Sequence, residues 1–244
     1  MNAASPRIEF TADEQALAKT VFEHIAKISA DTRGVSRPAF SAKETEVLDY
    51  LGEVAAKEGL AVWPDALDNR IFALAEDREQ APYLLIGSHI DSVPMGGNFD
   101  GLAGVVAGLM CLIHQARSGQ RFSQPVRVIA MRGEESAWFG PCYIASKALT
   151  GTLSNDELAA TNKGDGQSLS QHMTALGIDT APIAAGRPLM DIEQIAEYLE
   201  LHIEQGPLLA NKKCPAAVVT GIRGNLRFKN IVAHGEAGHS GAVP

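Results

Sequence analysis

Two short, almost wholly apolar runs constrain the fold of this chain more than any other feature. Residues 83–86 and 126–131 have the pattern of strands that are buried on both faces of a sheet. Between them, residues 102–116 have the apolar pattern of a helix, so the order along the chain is strand, helix, strand. This order predicts an α/β fold, with a mixed, mainly parallel sheet and helices on both of its faces.

Capping motifs predict two amphipathic helices ahead of this unit. Thr11 and Glu14 form the first motif, and apolar residues then recur at helical spacing. Ser41 and Glu44 repeat the motif ahead of a similar apolar series, and Gly59 supplies the stop. Each segment should therefore form a helix with one apolar face.

Apolar runs bounded by turn residues predict the remaining strands. Residues 60–63 and 71–75 flank a short polar turn and should form a hairpin. Residues 198–203 are expected to form a further strand, and residues 216–222 with 226–232 an edge hairpin.

The composition excludes several classes of protein. The chain has 244 residues, of which 45% are hydrophobic and 20% charged, which is ordinary for a globular protein. A net charge of −8 without a basic block argues against nucleic acids and anionic membranes as partners. Three cysteines, far apart, suit a reducing compartment and exclude a disulfide scaffold or a thiolate zinc site. With no signal-peptide-like start and no run of about 20 apolar residues, we expect a soluble, cytoplasmic protein.

Polar residues gather where the predicted strands end. Each of three strands is followed or ended by imidazole or carboxylate side chains, and one more carboxylate lies in the loop before the long helix. Because ligands bind beyond the carboxyl ends of strands in open α/β sheets, these side chains should converge. They are His89, Asp91, Asp100, Glu134, Glu135 and His202.

This set of side chains favours a metal centre. Imidazole and carboxylate donors without thiolates suit Zn, Mn, Co or Ni. Asp91 stands two residues after His89 and can hold the other N–H of that imidazole. Adjacent Glu134 and Glu135 cannot both point the same way in extended chain, so one can ligate metal while the other acts as a base toward water. The serine-hydrolase motif Gly-x-Ser-x-Gly is absent from the sequence.

Four sequence blocks occur in an order that resembles a known family. They are GSHIDSVPMGGNFDGLAGVVAGL (87–109), RGEESAWFGPCYIASKALTG (132–151), LELHIEQGPLL (199–209) and the segment 219–244. Together they resemble the amidase/hydantoinase/carbamoylase family of dinuclear metallohydrolases, which includes N-carbamoyl-L-amino-acid hydrolases, allantoate amidohydrolases and β-ureidopropionases. The LHIEQGP and GGNFDG blocks distinguish this branch from its peptidase relatives.

The resemblance implies two divalent ions per complete subunit, Zn or Mn, with Co or Ni also possible. His89 and His202 correspond to ligands of one ion, Asp100 to the carboxylate that bridges both, and Glu135 to a ligand of the second ion. The family also takes a later histidine for that second ion. We therefore expect this chain to bind at most one ion tightly and to be poorly active alone.

The resemblance also assigns roles around the metals. Glu134 corresponds to the general base and Asp91 to the partner of the metal-binding imidazole. Gln205 corresponds to a substrate contact, and His239 to a histidine that holds the substrate or the developing oxyanion. Trp138 stands where many relatives carry Arg, so the specificity cannot be carried over.

The family also implies a domain organisation. Residues 1–214 should form the metal-binding catalytic domain, and residues 215–244 the start of an inserted α+β lid and dimerisation domain. The chain stops at residue 244 without a stop signal, so we expect it to be the front part of a longer polypeptide. The resemblance implies that the full-length protein is a homodimer.

The implied reaction is hydrolysis of a linear amide (ureido) C–N bond, in an N-carbamoyl amino acid or a related ureido acid such as allantoate. One alternative is an aminopeptidase or deacylase of the same superfamily. Another is a non-catalytic metal-binding module, which is favoured if the chain truly ends at residue 244.

Overall fold

The structure is a computed structural model that describes residues 9–222, 224, 232, 234 and 235. Its helices and strands follow one another in the order α1 (Ala12–Ile28), α2 (Ala42–Lys57), β1 (Ala61–Pro64), β2 (Arg70–Ala73), β3 (Tyr83–His89), α3 (Leu102–Ser118), β4 (Val126–Met131), α4 (Ser136–Phe139), α5 (Ile144–Leu149), α6 (Asn155–Leu158), α7 (Leu169–Ala175), α8 (Ala181–Ala184), β5 (Ile195–Leu199) and α9 (Leu208–Asn211). Short 3₁₀ turns form at Ala75–Asp77 and Ile192–Gln194. In the described part of the chain, no helix is long and apolar enough to cross a membrane.

The chain divides into two compact units, Met1–Ile203 and Glu204–Pro244. The first unit holds the sheet and helices α1 to α8. In the second, Glu204 accepts hydrogen bonds from the first amides of α9, at Leu208 and Leu209. The expected catalytic domain over 1–214 and second domain over 215–244 remain a prediction, since much of the latter lies outside the described residues.

Helices α1 and α2 begin at the predicted caps, but the second cap differs from the prediction. Thr11 and Glu14 exchange hydrogen bonds as a complete capping box. Ser41 accepts a bond from the Glu44 amide, yet the Glu44 carboxylate accepts from the backbone of Phe40 instead of Ser41. The expected reciprocal bond is therefore wrong, because tertiary partners claim the Glu44 side chain.

The five strands form one mixed sheet in the order β1-β2-β4-β3-β5. The predicted hairpin is confirmed as β1 and β2, which pair antiparallel, and β2 pairs antiparallel with β4. β3 runs parallel to both β4 and β5. The register sets His89 beside Met131, so β3 and β4 end at the same edge of the sheet. This arrangement confirms the α/β class.

Helices cover both faces of the sheet, as predicted. On one face, α1, α2 and α3 enclose a core whose members include Ile25, Leu51 and Leu109. On the other face, helices α4 to α8 pack through residues such as Ile144 and Leu169. Burial of so many aliphatic side chains is the main favourable term for folding. The two cores leave the carboxyl edge of the parallel strands free for polar side chains.

Two strand predictions near the end of the sequence are corrected. β5 lies at Ile195–Leu199 instead of 198–203, because its position follows from pairing with β3 and a register shift beside Tyr83. Residues 216–222 are exposed and have no regular structure, so they are not a strand there. The second half of the expected hairpin, 226–232, lies almost wholly outside the described residues.

Candidate metal centre

His89 is the last residue of β3, and its buried imidazole is oriented from one side. Its Nδ1 atom lies 3.1 Å from the backbone oxygen of Asp91 and 3.3 Å from Oδ1 of that residue. Both neighbours accept hydrogen bonds, so Nδ1 carries a proton and Nε2 is available as a ligand. Gly101 gives this ring its space: it has a φ of +63°, and a Cβ there would lie 2.5 Å from Nε2.

Asp91 joins the ends of two strands. Its side chain is fully buried, and its two oxygens accept hydrogen bonds from the backbone amides of Glu134 and Glu135, both at 2.9 Å. The same carboxylate faces the His89 ring. One side chain therefore sets both the direction of the imidazole and the path of the chain beyond β4.

Asp100 lies between two imidazole rings. Its Oδ1 atom is 3.2 Å from Nε2 of His202 and 3.8 Å from Nε2 of His89. The two rings are stacked with centroids 5.7 Å apart. Donor atoms of these three residues all lie within 4.8 Å of one another, close enough to surround one ion.

A second group of possible ligands contains His89, Glu134 and Glu135, again with donor atoms within 4.8 Å of one another. The Oε2 atom of Glu134 lies 4.0 Å from Nε2 of His89. Both groups depend on the same imidazole. Since Nδ1 of His89 faces Asp91, its single remaining nitrogen can serve only one ion at a time.

The electrostatics of this cluster suit a cation. Burial raises the pKa of Glu135 to about 7, and the charge of Glu134 adds to the effect. Burial likewise raises the pKa of Glu134. Burial disfavours the charged form of His89, but the hydrogen bond and charge of Asp91 prevail and raise its pKa to about 9. The crowding of carboxylates favours a positive charge among them, and imidazole and carboxylate donors together fit a divalent metal ion.

Two of the predicted site residues lie in the second compact unit or outside the described residues. Gln205, with a φ of +55°, belongs to the second compact unit, Glu204–Pro244. His239 lies outside the described residues. Trp138 donates its indole N–H to the backbone oxygen of Ser92 at 2.8 Å, on the loop that follows His89.

Sequence reasoning missed two buried arginines that support the cluster. Arg37 donates to the backbone oxygen of Ile90 at 2.5 Å and to the side chain of Asn98 at 3.1 Å, which bridges the loop between Asp91 and Asp100. Arg132 is fully buried just before the Glu134–Glu135 pair. A charged residue at the end of an apolar strand is a signal for Arg132, whereas nothing in the sequence singles out Arg37.

A mixed sheet that carries imidazole and carboxylate donors at the ends of its parallel strands defines a class of α/β metalloproteins. The sequence model of Peptidase family M20/M25/M40, a metal-dependent family, matches residues 85–237, and the chain belongs to this family.

Individual relatives agree with the resemblance found in the sequence. The chain is 37% identical over 213 residues to N-carbamoyl-L-amino acid amidohydrolase of Geobacillus stearothermophilus, covering 86% of this chain and 51% of that protein. It is 34% identical over 188 residues to a probable allantoate deiminase of Oryza sativa subsp. japonica, covering 76% and 38%. The chain spans about half the length of the curated relatives it matches.

Solved structures give the same result for the fold. A hydantoinase/carbamoylase family amidase from Burkholderia ambifaria superimposes with a TM-score of 0.69 and 31% identity, covering 81% of this chain and 47% of that one. The amidase/hydantoinase/carbamoylase resemblance drawn from the four sequence blocks is thereby confirmed.

Proposed function

We propose that this protein is a metal-dependent amidohydrolase that cleaves a linear amide (ureido) C–N bond. Its substrate is an N-carbamoyl amino acid or a related ureido acid such as allantoate. The observation that carries the proposal is the cluster of His89, Asp100 and His202, with the Glu134–Glu135 pair beside it. The relatives named above carry the choice of substrate class, since their names refer to carbamoyl amino acids and allantoate.

Named residues would hold the metal. His89, Asp100 and His202 offer three donors to one ion. On the family resemblance, Asp100 with Glu135 would hold a second ion. Zn or Mn are the proposed ions. A divalent ion supplies an activated water molecule and polarises the substrate carbonyl. Because His89 is shared, the described residues complete one three-donor group at a time, and we expect one tightly bound ion in the 244-residue chain.

Glu134 is the proposed general base. Its backbone is held by Asp91, and its side chain is about one-third exposed, so substrate and water can reach it. Its raised pKa brings the carboxylate closer to the range in which it can take a proton from water and pass it to the leaving nitrogen. Asp91 keeps the imidazole and both glutamates in place. Gln205 and His239 are proposed as substrate contacts on the family resemblance alone.

We propose a cytoplasmic location from the state of the cysteines. The cysteines Cys111, Cys142 and Cys214 are all free, which suits a reducing, cytoplasmic location. The homodimer, the poor activity of the 244-residue chain and the lid domain from residue 215 rest on the family resemblance.

Separating the base from the metal ligands tests the proposal. Glu134→Gln should leave the metal content nearly intact and lower turnover by about 10²–10⁴, the usual effect of a general acid–base group. Asp100→Ala should lose metal. Metal content is measured on the 244-residue chain, and turnover of N-carbamoyl-L-amino acids on the polypeptide at its native length. If the two variants behave alike, the division of roles is wrong.

A peptidase or deacylase remains the second candidate, because the matching family model carries a peptidase name. The two candidates differ in the bond that is cleaved. Turnover of a dipeptide or an N-acyl amino acid, without turnover of N-carbamoyl amino acids or allantoate, would favour this candidate over the proposed one.

A further inference from the structure

A buried carboxylate outside the metal cluster holds the chain just before the two glutamates. Glu44, in the first turn of α2, is fully buried. Its Oε1 atom accepts a hydrogen bond from the Gly133 amide at 3.0 Å. Its Oε2 atom accepts from the Phe40 amide and from Nη1 of Arg132, both at 2.8 Å. Every partner of this carboxylate is a donor.

The backbone that Glu44 holds leaves no space for a side chain at residue 133. Gly133 has a φ of +59°, and a Cβ there would lie 2.3 Å from the Phe40 ring. One residue further on, the amide of Glu134 is bonded to Asp91. The turn out of β4 is therefore held from the α2 side by Glu44 and from the β3 side by Asp91.

Arg132 extends this support to the hairpin. Its guanidinium donates to Asp68 in the β1–β2 turn and to Thr45 on α2, besides Glu44. Its own amide donates to the Asn69 side chain at 2.9 Å. These contacts join the start of α2, the hairpin turn and the end of β4 into one buried polar network, in which every bond of the carboxylate is satisfied.

Glu14 shows that a buried glutamate in the first turn of a helix can serve as a helix cap without contacting the metal cluster. It occupies the same place in the first turn of α1 and is also buried. Its carboxylate returns to the Thr11 amide and contacts His114, with no bond to the metal cluster. The capping position alone thus explains Glu14, whereas the hydrogen bond that the Gly133 amide donates to Glu44 needs another explanation.

We propose that Glu44 is a positioning residue, which holds Gly133 so that Glu134 and Glu135 leave β4 toward the metal cluster. The role in the reaction rests on the proposed function. The role of Glu44 in placing the two carboxylates is independent of the proposed function, because it can be measured through metal binding alone.

Glu44→Gln is the decisive variant because it preserves shape and removes one acceptor. The new amide NH₂ must face either the Gly133 amide or the donors of Phe40 and Arg132, so one donor is set against another. Glu14→Gln is the matched control, since it changes the same residue type, at the same helix position, in a buried site away from the metal cluster.

The experiment compares the affinity of both variants for Zn²⁺ or Mn²⁺, using a competing chelator and the 244-residue chain. We expect Glu44→Gln to weaken binding of the ion that Glu135 would help to hold by about 10–100-fold, as is usual when a residue that supports metal ligands is lost. Glu14→Gln should leave the affinity within about twofold while lowering the melting temperature. At native length, Glu44→Gln should lower kcat with little change in KM.

The proposal is overturned if Glu44→Gln retains wild-type metal affinity, if both variants lose it equally, or if the wild-type chain binds no divalent ion. Should Glu44→Gln fail to fold, Asp68→Asn tests the same network from its partly exposed end, and unchanged metal affinity there would overturn the proposal. Failure of the proposed function looks different: the wild-type chain binds metal, but the native-length polypeptide hydrolyses no ureido acid.

Discussion

The two imidazoles of the candidate metal centre stand on very different supports. His89 ends a central strand, is almost fully buried, and is followed by a loop that Arg37 bridges from Ile90 to Asn98. His202 lies three residues beyond β5, the edge strand of the sheet, and its side chain is 33% exposed. The β3 half of the cluster, with His89, therefore belongs to the buried core, whereas the β5 half, with His202, lies at the exposed edge of the sheet.

This difference indicates which half of the metal centre the fold holds in its binding geometry before an ion is present. The His89 side has its donors and acceptors paired inside the protein, so its geometry is fixed before an ion arrives. On the β5 side, Leu199 and Leu201 are 56% and 50% exposed, and every residue of β5 after Ile195 is exposed. We therefore expect the β3 half to dominate metal binding, and the β5 half to complete it.

The largest expected effect comes from removing the shared imidazole. His89→Ala takes a donor from both ligand groups, so binding of Zn²⁺ or Mn²⁺ should fall below detection in the 244-residue chain. His202→Ala should leave weak binding, because His89 and Glu135 of the second group remain. Calorimetric titration of both variants checks this order. Equal loss in the two variants would contradict the dominance of the β3 half.

Asp91→Asn should have the next largest effect. It replaces one oxygen by an NH₂ group, so the amide of Glu134 or Glu135 loses its acceptor. An orphaned donor of this kind costs about 1–3 kcal/mol of unfolding free energy. Loss of a partner that orients a metal-binding imidazole lowers metal affinity about 10–100-fold.

Glu200→Gln is the matched control for that variant. Glu200 follows β5 and accepts a hydrogen bond from Ser88, so it is the carboxylate of the exposed half. Urea unfolding of the metal-free chain, followed by metal titration, compares the two. If Glu200→Gln lowered the unfolding free energy and the metal affinity as much as Asp91→Asn, the β5 half of the metal centre would be held as firmly as the β3 half.

The same contrast explains how much of the structure the sequence could predict. β4 lies at Val126–Met131 as predicted, and the start of β3 was also found, because buried parallel strands are continuously apolar. β5 was misplaced because it mixes apolar and polar residues at an exposed edge. There, the position of the strand depends on its pairing with β3 and not on its own pattern.

The site shows a similar limit. Donors at strand ends could be predicted because the α/β topology brings those ends to one edge. The role of Glu44 could not, because its sequence context is that of an ordinary helix cap. Only the tertiary partners Gly133 and Arg132 distinguish it from Glu14. Arg37 stands in a connection without periodicity, so no local pattern marks it.

The smallest expected effect concerns the attachment of β5. The Tyr198 hydroxyl donates a hydrogen bond to the backbone oxygen of Gly87 at 3.1 Å, which ties the edge strand to β3. Burial and the charge of Glu200 raise the pKa of Tyr198, so the hydroxyl keeps its proton. Tyr198→Phe should lower the unfolding free energy by about 0.5–1.5 kcal/mol, the net worth of one hydrogen bond.

Tyr50→Phe is the control for this variant, since the Tyr50 ring stacks on His24 with centroids 4.0 Å apart and the substitution preserves the ring. Its unfolding free energy should stay close to that of the wild type, because stacking area is retained. Urea unfolding of both variants gives the comparison. A loss at Tyr198 well above that of one hydrogen bond would mean that β5 is anchored through its side chains. In that case His202 would be held nearly as firmly as His89, and the distinction between a built-in and an attached half of the metal centre would fail.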